Sequence, residues 1–196
     1  MKVLVLNCGS SSIKYKLLDM ASNTEMASGA IEKIGMKGSF LKHKRQDGVK
    51  VTLKGEILEH QVGIEYILGV LTSEKHGCIK SLEEIIGVGH RVVHGGEKFN
   101  SSVLITDEVI QKLVECIDIA PLHNPPNLAG IRAIAELLPS MPQVGVLIQH
   151  STKVCLIMLT CTVFLTHCIP NTASVVMDST EPATALCQNK LLNSLD

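Results

Sequence analysis

An α/β fold is what this sequence predicts, on three observations: two apolar strands joined by a glycine-serine turn at the N-terminus, two segments with apolar residues at helical spacing, and a later helix followed at once by a short apolar strand. Lys2 to Asn7 is an apolar run of strand length, Gly9-Ser10-Ser11-Ser12 a tight polar turn, and Ile13 to Asp19 a second strand. Phe40 to Lys44, Lys50 to Leu53 and Ile86 to Val93 are further strands. The spacing of Ile64, Ile67, Leu68 and Leu71 predicts a helix from Gln61 to Thr72. Val109, Ile110, Leu113, Val114 and Ile117 predict another from Asp107 to Ile117, with Thr106 as its N-cap. Asn127 is expected to cap a third helix, Leu128 to Leu138, which Pro139 ends; Gln143 to Leu147 then reads as a strand entering a parallel sheet.

At 196 residues and 45% hydrophobic, the chain is long enough for one core, or for one domain plus part of a second. A net charge of -1 and the lack of a basic tract speak against nucleic acid and anionic membrane surfaces as partners and leave small molecules. The N-terminal apolar run is too short for a signal peptide and no small-residue cleavage site follows it, so a cytoplasmic location is expected. Seven cysteines, an odd number without C-x-x-C spacing, argue against a structural zinc site and a full disulfide framework and suit free thiols.

The chain changes character near residue 147. Residues 147–196 hold five of the 37 charged side chains, yet four of the seven cysteines. The stretch from Val154 to Ile169 is apolar without a clear period, but it is interrupted by Thr and His and falls short of the roughly 18 to 20 apolar residues that span a bilayer, so no membrane helix is expected.

Three segments carry chemistry. Asn7-Cys8-Gly9-Ser10-Ser11-Ser12-Ile13-Lys14 joins strand to strand with one glycine for backbone approach, three hydroxyls and a lysine, the composition of a phosphate cradle. It lacks the Walker A spacing and no helix follows, and a turn of this kind taken alone is more often an ordinary hairpin. Gly89-His90-Arg91-Val92-Val93-His94-Gly95-Gly96 follows an apolar run, so a strand delivers an arginine and two histidines to a glycine-rich loop, where ligands of open α/β sheets bind. The planar fork of Arg91 suits a carboxylate or phosphoryl group. Ala120-Pro121-Leu122-His123-Asn124-Pro125-Pro126-Asn127 is stiffened by its prolines, which serves either to position Leu122 and His123 or to connect helices.

In this order and at this spacing, the three segments resemble the acetokinase family, whose motifs N-[SC]-G-S-S-S-[IL]-K, G-H-R-V-V-H-G-G and A-P-L-H-N-P are all present within residues 1–146. The resemblance implies a ribonuclease-H-like, actin-like ATPase fold, in which two such domains hold nucleotide in the cleft between them. It implies the reaction acetate + ATP ⇌ acetyl phosphate + ADP, with Mg²⁺ as cofactor. By resemblance Asn7 helps hold Mg²⁺, and Gly9, Ser10, Ser11, Ser12 and Lys14 serve the ATP site. Arg91 binds the carboxylate and the transferring phosphoryl group, Val93 and Leu122 form the pocket for the substrate methyl, and His123 lies near the phosphoryl path. The family is normally a homodimer, with its main contacts expected outside this chain. The same motifs serve kinases of propionate and other short acyl chains, and a non-catalytic fragment is a third reading.

The resemblance stops after Val146. Where the family continues F-D-T-A-F-H-Q-[ST]-M-P, this chain reads Leu147-Ile148-Gln149-His150-Ser151, with Ile148 in place of an essential aspartate. Regrouping the codons, so that the last base of each joins the first two of the next, lets Leu147 to Val154 encode D-T-A-F-H-Q-S, and lets Met177 to Thr184 encode the family's G-F-H-G-T-S-H. The expected organisation is therefore an acetate-kinase-like domain over 1–146 and an out-of-frame, non-homologous tail of uncertain structure over 147–196, with the family's second domain missing and this fragment inactive.

Overall fold

Val3 to Leu6 is apolar without interruption, whereas Ser12 to Asp19 alternates, and the sheet explains both patterns. The computed structural model describes residues 1–92, 102–118 and 120–147. Five strands open the chain: β1 (Lys2–Gly9), β2 (Ser12–Asp19), β3 (Thr24–Glu32), β4 (Phe40–Arg45) and β5 (Lys50–Lys54). Helix α1 (His60–Thr72) and a short 3₁₀ turn (Leu82–Glu84) lead to β6 (Ile85–Val92). After β7 (Val103–Leu104) come α2 (Asp107–Glu115), α3 (Asn124–Leu137) and β8 (Gln143–Leu147). All the strands form one sheet in the order β5-β4-β3-β2-β1-β6-β8-β7. The first five are antiparallel neighbours, β6 and β8 continue parallel to β1, and β7 closes the edge antiparallel to β8. An antiparallel meander feeding a parallel centre is the ribonuclease-H-like arrangement that the family resemblance implies.

Strand β1 is buried on both faces. Leu4, Leu6 and Cys8 face α1 and α3 in the main core, with Ile13, Tyr15 and Leu17 of β2, Ile31, Leu41, Ile64, Ile67, Leu71 and Ile134. Val3 and Val5 point the other way, into a smaller cluster with Leu18, Val144 and Val146. A strand covered on both sides needs no polar positions, whereas β2 exposes Lys14 and Lys16 between its buried residues. Helix α1 buries Ile64, Ile67, Leu68 and Leu71, as its periodicity predicts. Thr106 caps α2 as expected: its hydroxyl accepts from the Val109 amide at 3.4 Å.

Two strands escape the sequence pattern. β3 carries Gly29, Ser28 and two glutamates and has no clean alternation. Gly29 is required there because a Cβ would lie 2.2 Å from the Lys42 carbonyl and 2.6 Å from the Tyr15 ring. β7 is two residues long and is defined by its pairing with β8 alone. The third helix also begins earlier than expected. It starts at Asn124, with the prolines in its first turn, where a missing N–H costs no hydrogen bond. Asn127 is thus not its cap; it is buried inside the helix and serves another purpose.

Candidate active site

The β1–β2 hairpin closes tightly, with Gly9 opposite Ser12 and Asn7 opposite Lys14. On the other side of β1, Leu6 pairs with His90 of β6. The next residue of each strand, Asn7 and Arg91, therefore falls on the opposite face from Leu6 and His90, beside Lys14. Chain direction makes this a site: Asn7 and Arg91 stand at the C-terminal ends of two parallel strands, where open α/β sheets bind ligands. The start of α3 adds His123 from the neighbouring layer.

Together Asn7, Cys8, Gly9, Ser12, Lys14, Arg91 and His123 line a cleft of about 440 Å³. Two cations and several neutral donors share it, and no carboxylate is among the lining residues. Arg91 Nε is buried and has no hydrogen-bond partner among the described residues. An unsatisfied guanidinium N–H is costly unless a ligand accepts it, and a carboxylate or phosphoryl oxygen is the natural acceptor.

Of the residues singled out in the sequence, Asn7, Gly9, Ser12, Lys14, Arg91 and His123 are thus brought to one place. Ser10 is exposed at the hairpin tip and Ser11 is half-buried beside it, and neither lines the cleft. Leu122 stands away from the lining with 76% of its surface exposed. Val93 lies outside the described residues, as do His94 to Gly96 and Ile148.

Behind the cleft lie buried and hydrogen-bonded side chains. His90, 2% exposed, donates from Nε2 to Gln143 Oε1 at 2.8 Å, and burial drives its pKa from 6.5 to about 4, so it is neutral at physiological pH. The Cys8 thiol is pushed up to about 12 by burial, which makes it an inert packing group and not a nucleophile. A Cβ on Gly130 of α3 would sit 2.5 Å from Cys8 Sγ, so this glycine lets the helix approach the hairpin. Asn127 Nδ2 donates to the Cys8 carbonyl at 2.8 Å, and His60 at the start of α1 donates from Nε2 to the Gly9 carbonyl at 2.7 Å. Sequence reasoning missed both contacts, because 119 and 51 residues separate the partners.

Fold and cleft define a class: an α/β domain of ribonuclease-H-like topology with cationic and hydrogen-bond-donating groups gathered at the ends of its central parallel strands. The particular family follows from comparison. Residues 2–152 match the model of the acetokinase family, and the chain belongs to it. It is 72% identical over 146 residues to the acetate kinase of Azobacteroides pseudotrichonymphae genomovar. CFP2, a match covering 74% of this chain and 37% of that protein. It is 63% identical over 146 residues to the acetate kinase of Parabacteroides distasonis, with 74% and 36% covered. Among solved structures, the Porphyromonas gingivalis acetate kinase matches with a TM-score of 0.73 at 60% identity, covering 74% of this chain and 37% of that one. A propionate kinase from Francisella tularensis matches with a TM-score of 0.67 at 38% identity, covering 74% and 36%. The match thus spans 37% and 36% of the length of these two curated relatives. No helix among the described residues is long and apolar enough to cross a membrane.

Proposed function

We propose that residues 1–146 form the acyl-substrate and phosphate-binding part of an acetate kinase, which catalyses ATP + acetate ⇌ ADP + acetyl phosphate in the cytoplasm. The observation that carries this reading is the convergence of Asn7, Lys14, Arg91 and His123 on one cleft in which Arg91 Nε is buried and unpaired. Phosphoryl transfer to a carboxylate requires two anions to approach each other, so neutralising and aligning charge is most of the work. In this assignment Arg91 donates its fork to the acetate carboxylate and to the equatorial oxygens of the transferring group. Lys14 and the Gly9–Ser12 turn offset nucleotide phosphate charge, and His123 hydrogen-bonds the phosphoryl group from the α3 side. Val93 and Leu122 would close around the methyl group, Leu122 losing its exposure when a substrate and a facing domain cover it.

The lining offers a metal two neutral side-chain oxygens, the Asn7 amide and the Ser12 hydroxyl, and the described residues contain no cluster of three His, Cys, Asp or Glu groups. Such a donor set fits a Mg²⁺ that arrives with the nucleotide, with Asn7 as one of its ligands. When bound, the ion supplies charge neutralisation on the phosphates.

Residues 147–196 enter the proposal as an out-of-frame tail. Its support is Ile148 at the position of the family's aspartate and alignments to the curated acetate kinases that run over 146 residues. A polypeptide of these 196 residues is expected to form no acetyl hydroxamate from ATP, acetate and hydroxylamine. The product of a gene corrected at codon 147 is expected to do so and to lose activity as Arg91→Ala; an inactive corrected product sinks the assignment. The likeness to the propionate kinase favours one second reading, a longer acyl substrate, which comparing acetate with propionate on the corrected protein decides. If neither acid is turned over and phosphate still binds, the chain is a non-catalytic module. A homodimer, as in the family, belongs to the same proposal and is read by light scattering.

A further inference from the structure

The turn between β1 and β2 has three carbonyl groups that accept from donors outside the hairpin. Asn127 Nδ2 of α3 reaches Cys8 O at 2.8 Å, His60 Nε2 of α1 reaches Gly9 O at 2.7 Å, and the Ile34 amide reaches Ser11 O at 3.0 Å. These donors come from three separate places in the chain. Two of the three, those on Cys8 and Gly9, act on residues that line the cleft beside Lys14 and Arg91.

Backbone electrostatics gives the arrangement a purpose. A carbonyl oxygen is the negative end of a peptide dipole and repels an anion, while N–H and hydroxyl groups attract one. A short Gly-Ser-Ser turn has enough freedom to rotate its peptides and present either end. Donors fixed on two packed helices remove that choice, because a carbonyl held against His60 or Asn127 cannot swing into the cleft without giving up its bond. Asn127 is buried and α3 lies close against the hairpin through Gly130 and Cys8, so its amide is fixed by packing. His60 is only partly buried and begins its helix, so its ring has one evident task, which is the Gly9 carbonyl.

We propose that His60 and Asn127 are positioning residues of the phosphate turn: they tie the Cys8 and Gly9 carbonyls back toward the helices and so keep the Gly9–Ser12 segment preorganised for an anion. The inference rests on the reading of this turn as a phosphate site. Neither residue touches substrate; both act through the backbone they hold.

The test uses the 196-residue chain and inorganic phosphate, followed by ¹⁵N NMR. His60→Ala is expected to speed amide exchange at Gly9 to Ser12 and to weaken phosphate binding by about tenfold, the upper range for one lost hydrogen bond. Exchange in β3 and β4 should stay as it was. His60→Gln keeps a donor of suitable reach and should restore both quantities to within about threefold. Asn127→Ala should repeat the His60→Ala pattern, and an independent chemical-denaturation curve identifies any variant that has lost the fold. If Asn127→Ala is such a variant, the His60 pair alone decides. A wild type that binds phosphate and a folded His60→Ala that binds it equally well overturn the positioning role alone. Equal loss in His60→Ala and His60→Gln also overturns it. A wild type with no phosphate affinity overturns the reading of the turn itself, and the positioning role with it.

Discussion

The antiparallel wing and the parallel centre of this sheet are built from the same backbone but under different constraints. In the wing, β2 to β5 keep one face on the core and turn the other outward. Lys14, Lys16, Lys42 and Lys44 are exposed on the outward face, and the pairs Lys16–Glu25 at 2.7 Å and Lys42–Glu32 at 3.0 Å lie there. In the centre, β1 and β8 carry valines packed on the face turned away from the helices, and polar chemistry is left only at the strand ends. The wing is stabilised by one layer of burial and tolerates change on its surface. The centre has no free face, so its side chains are fixed from both sides and can hold Asn7 and Arg91 in a set geometry.

Four experiments sharpen or break this contrast. Leu6→Ala should cost the most, about 2–5 kcal/mol in denaturant unfolding, since Leu6 is fully buried in the centre and a cavity there has little room to collapse. A cost below that of Lys16→Ala would erase the distinction.

Acid should act next, through the centre and not the wing surface. His90 has its folded pKa depressed to about 4 from 6.5, so its contribution is complete above pH 6.5. As pH falls, the unfolded chain takes a proton that the folded chain refuses, and stability drops until it levels near pH 4, by about 3 kcal/mol. His43 shifts in the same direction, again by burial; it accepts from Tyr15 O–H at 2.6 Å and donates to the His76 carbonyl at 3.0 Å. Unfolding curves at pH 7 and pH 4.5 measure the loss, and a His90→Asn variant should show a shallower slope.

One substitution made at two glycines then tests packing against propensity. Gly130→Ala drives a methyl to within 2.5 Å of Cys8 Sγ and should destabilise by about 1–3 kcal/mol. Gly69→Ala, on the open face of α1 with nothing within 4 Å of the new Cβ, should stabilise by about 0.5–1 kcal/mol. Thermal melts of the two variants should move in opposite directions.

The smallest effect belongs to the wing surface. Lys16→Ala removes an exposed ion pair with Glu25 and should change stability by no more than about 0.5 kcal/mol, less still in high salt. A larger change would mean that the lysine face supports the sheet by more than solvation.

Local pattern was enough to read much of this molecule. Sequence pattern placed α1 and α2, the alternation of β2 and the existence of the first hairpin, though its turn is two residues shorter than the Gly9–Ser12 segment expected; each is decided by residues within a few positions of one another. The three motifs, through their resemblance to the acetokinase family, likewise pointed to Asn7, Lys14, Arg91 and His123, which residue type alone left open for the hairpin and the proline loop. β3 was illegible because Gly29 is dictated by the Tyr15 ring and the Lys42 carbonyl, both on neighbouring strands. The start of α3 was misread because the prolines that announce a loop are equally at home in a first helical turn.

What the sequence determined by itself, then, is the set of reactive groups and the short-range elements that carry them. Tertiary structure alone decided that Asn7 and Arg91 stand side by side, that Gly130 lets α3 reach Cys8, and that His60 and Asn127 take hold of two carbonyls in the same turn. The reason is physical: a hydrogen bond or a close packing contact acts through space over a few ångströms, and its partners need have no relation along the chain until the sheet and helices have brought them together.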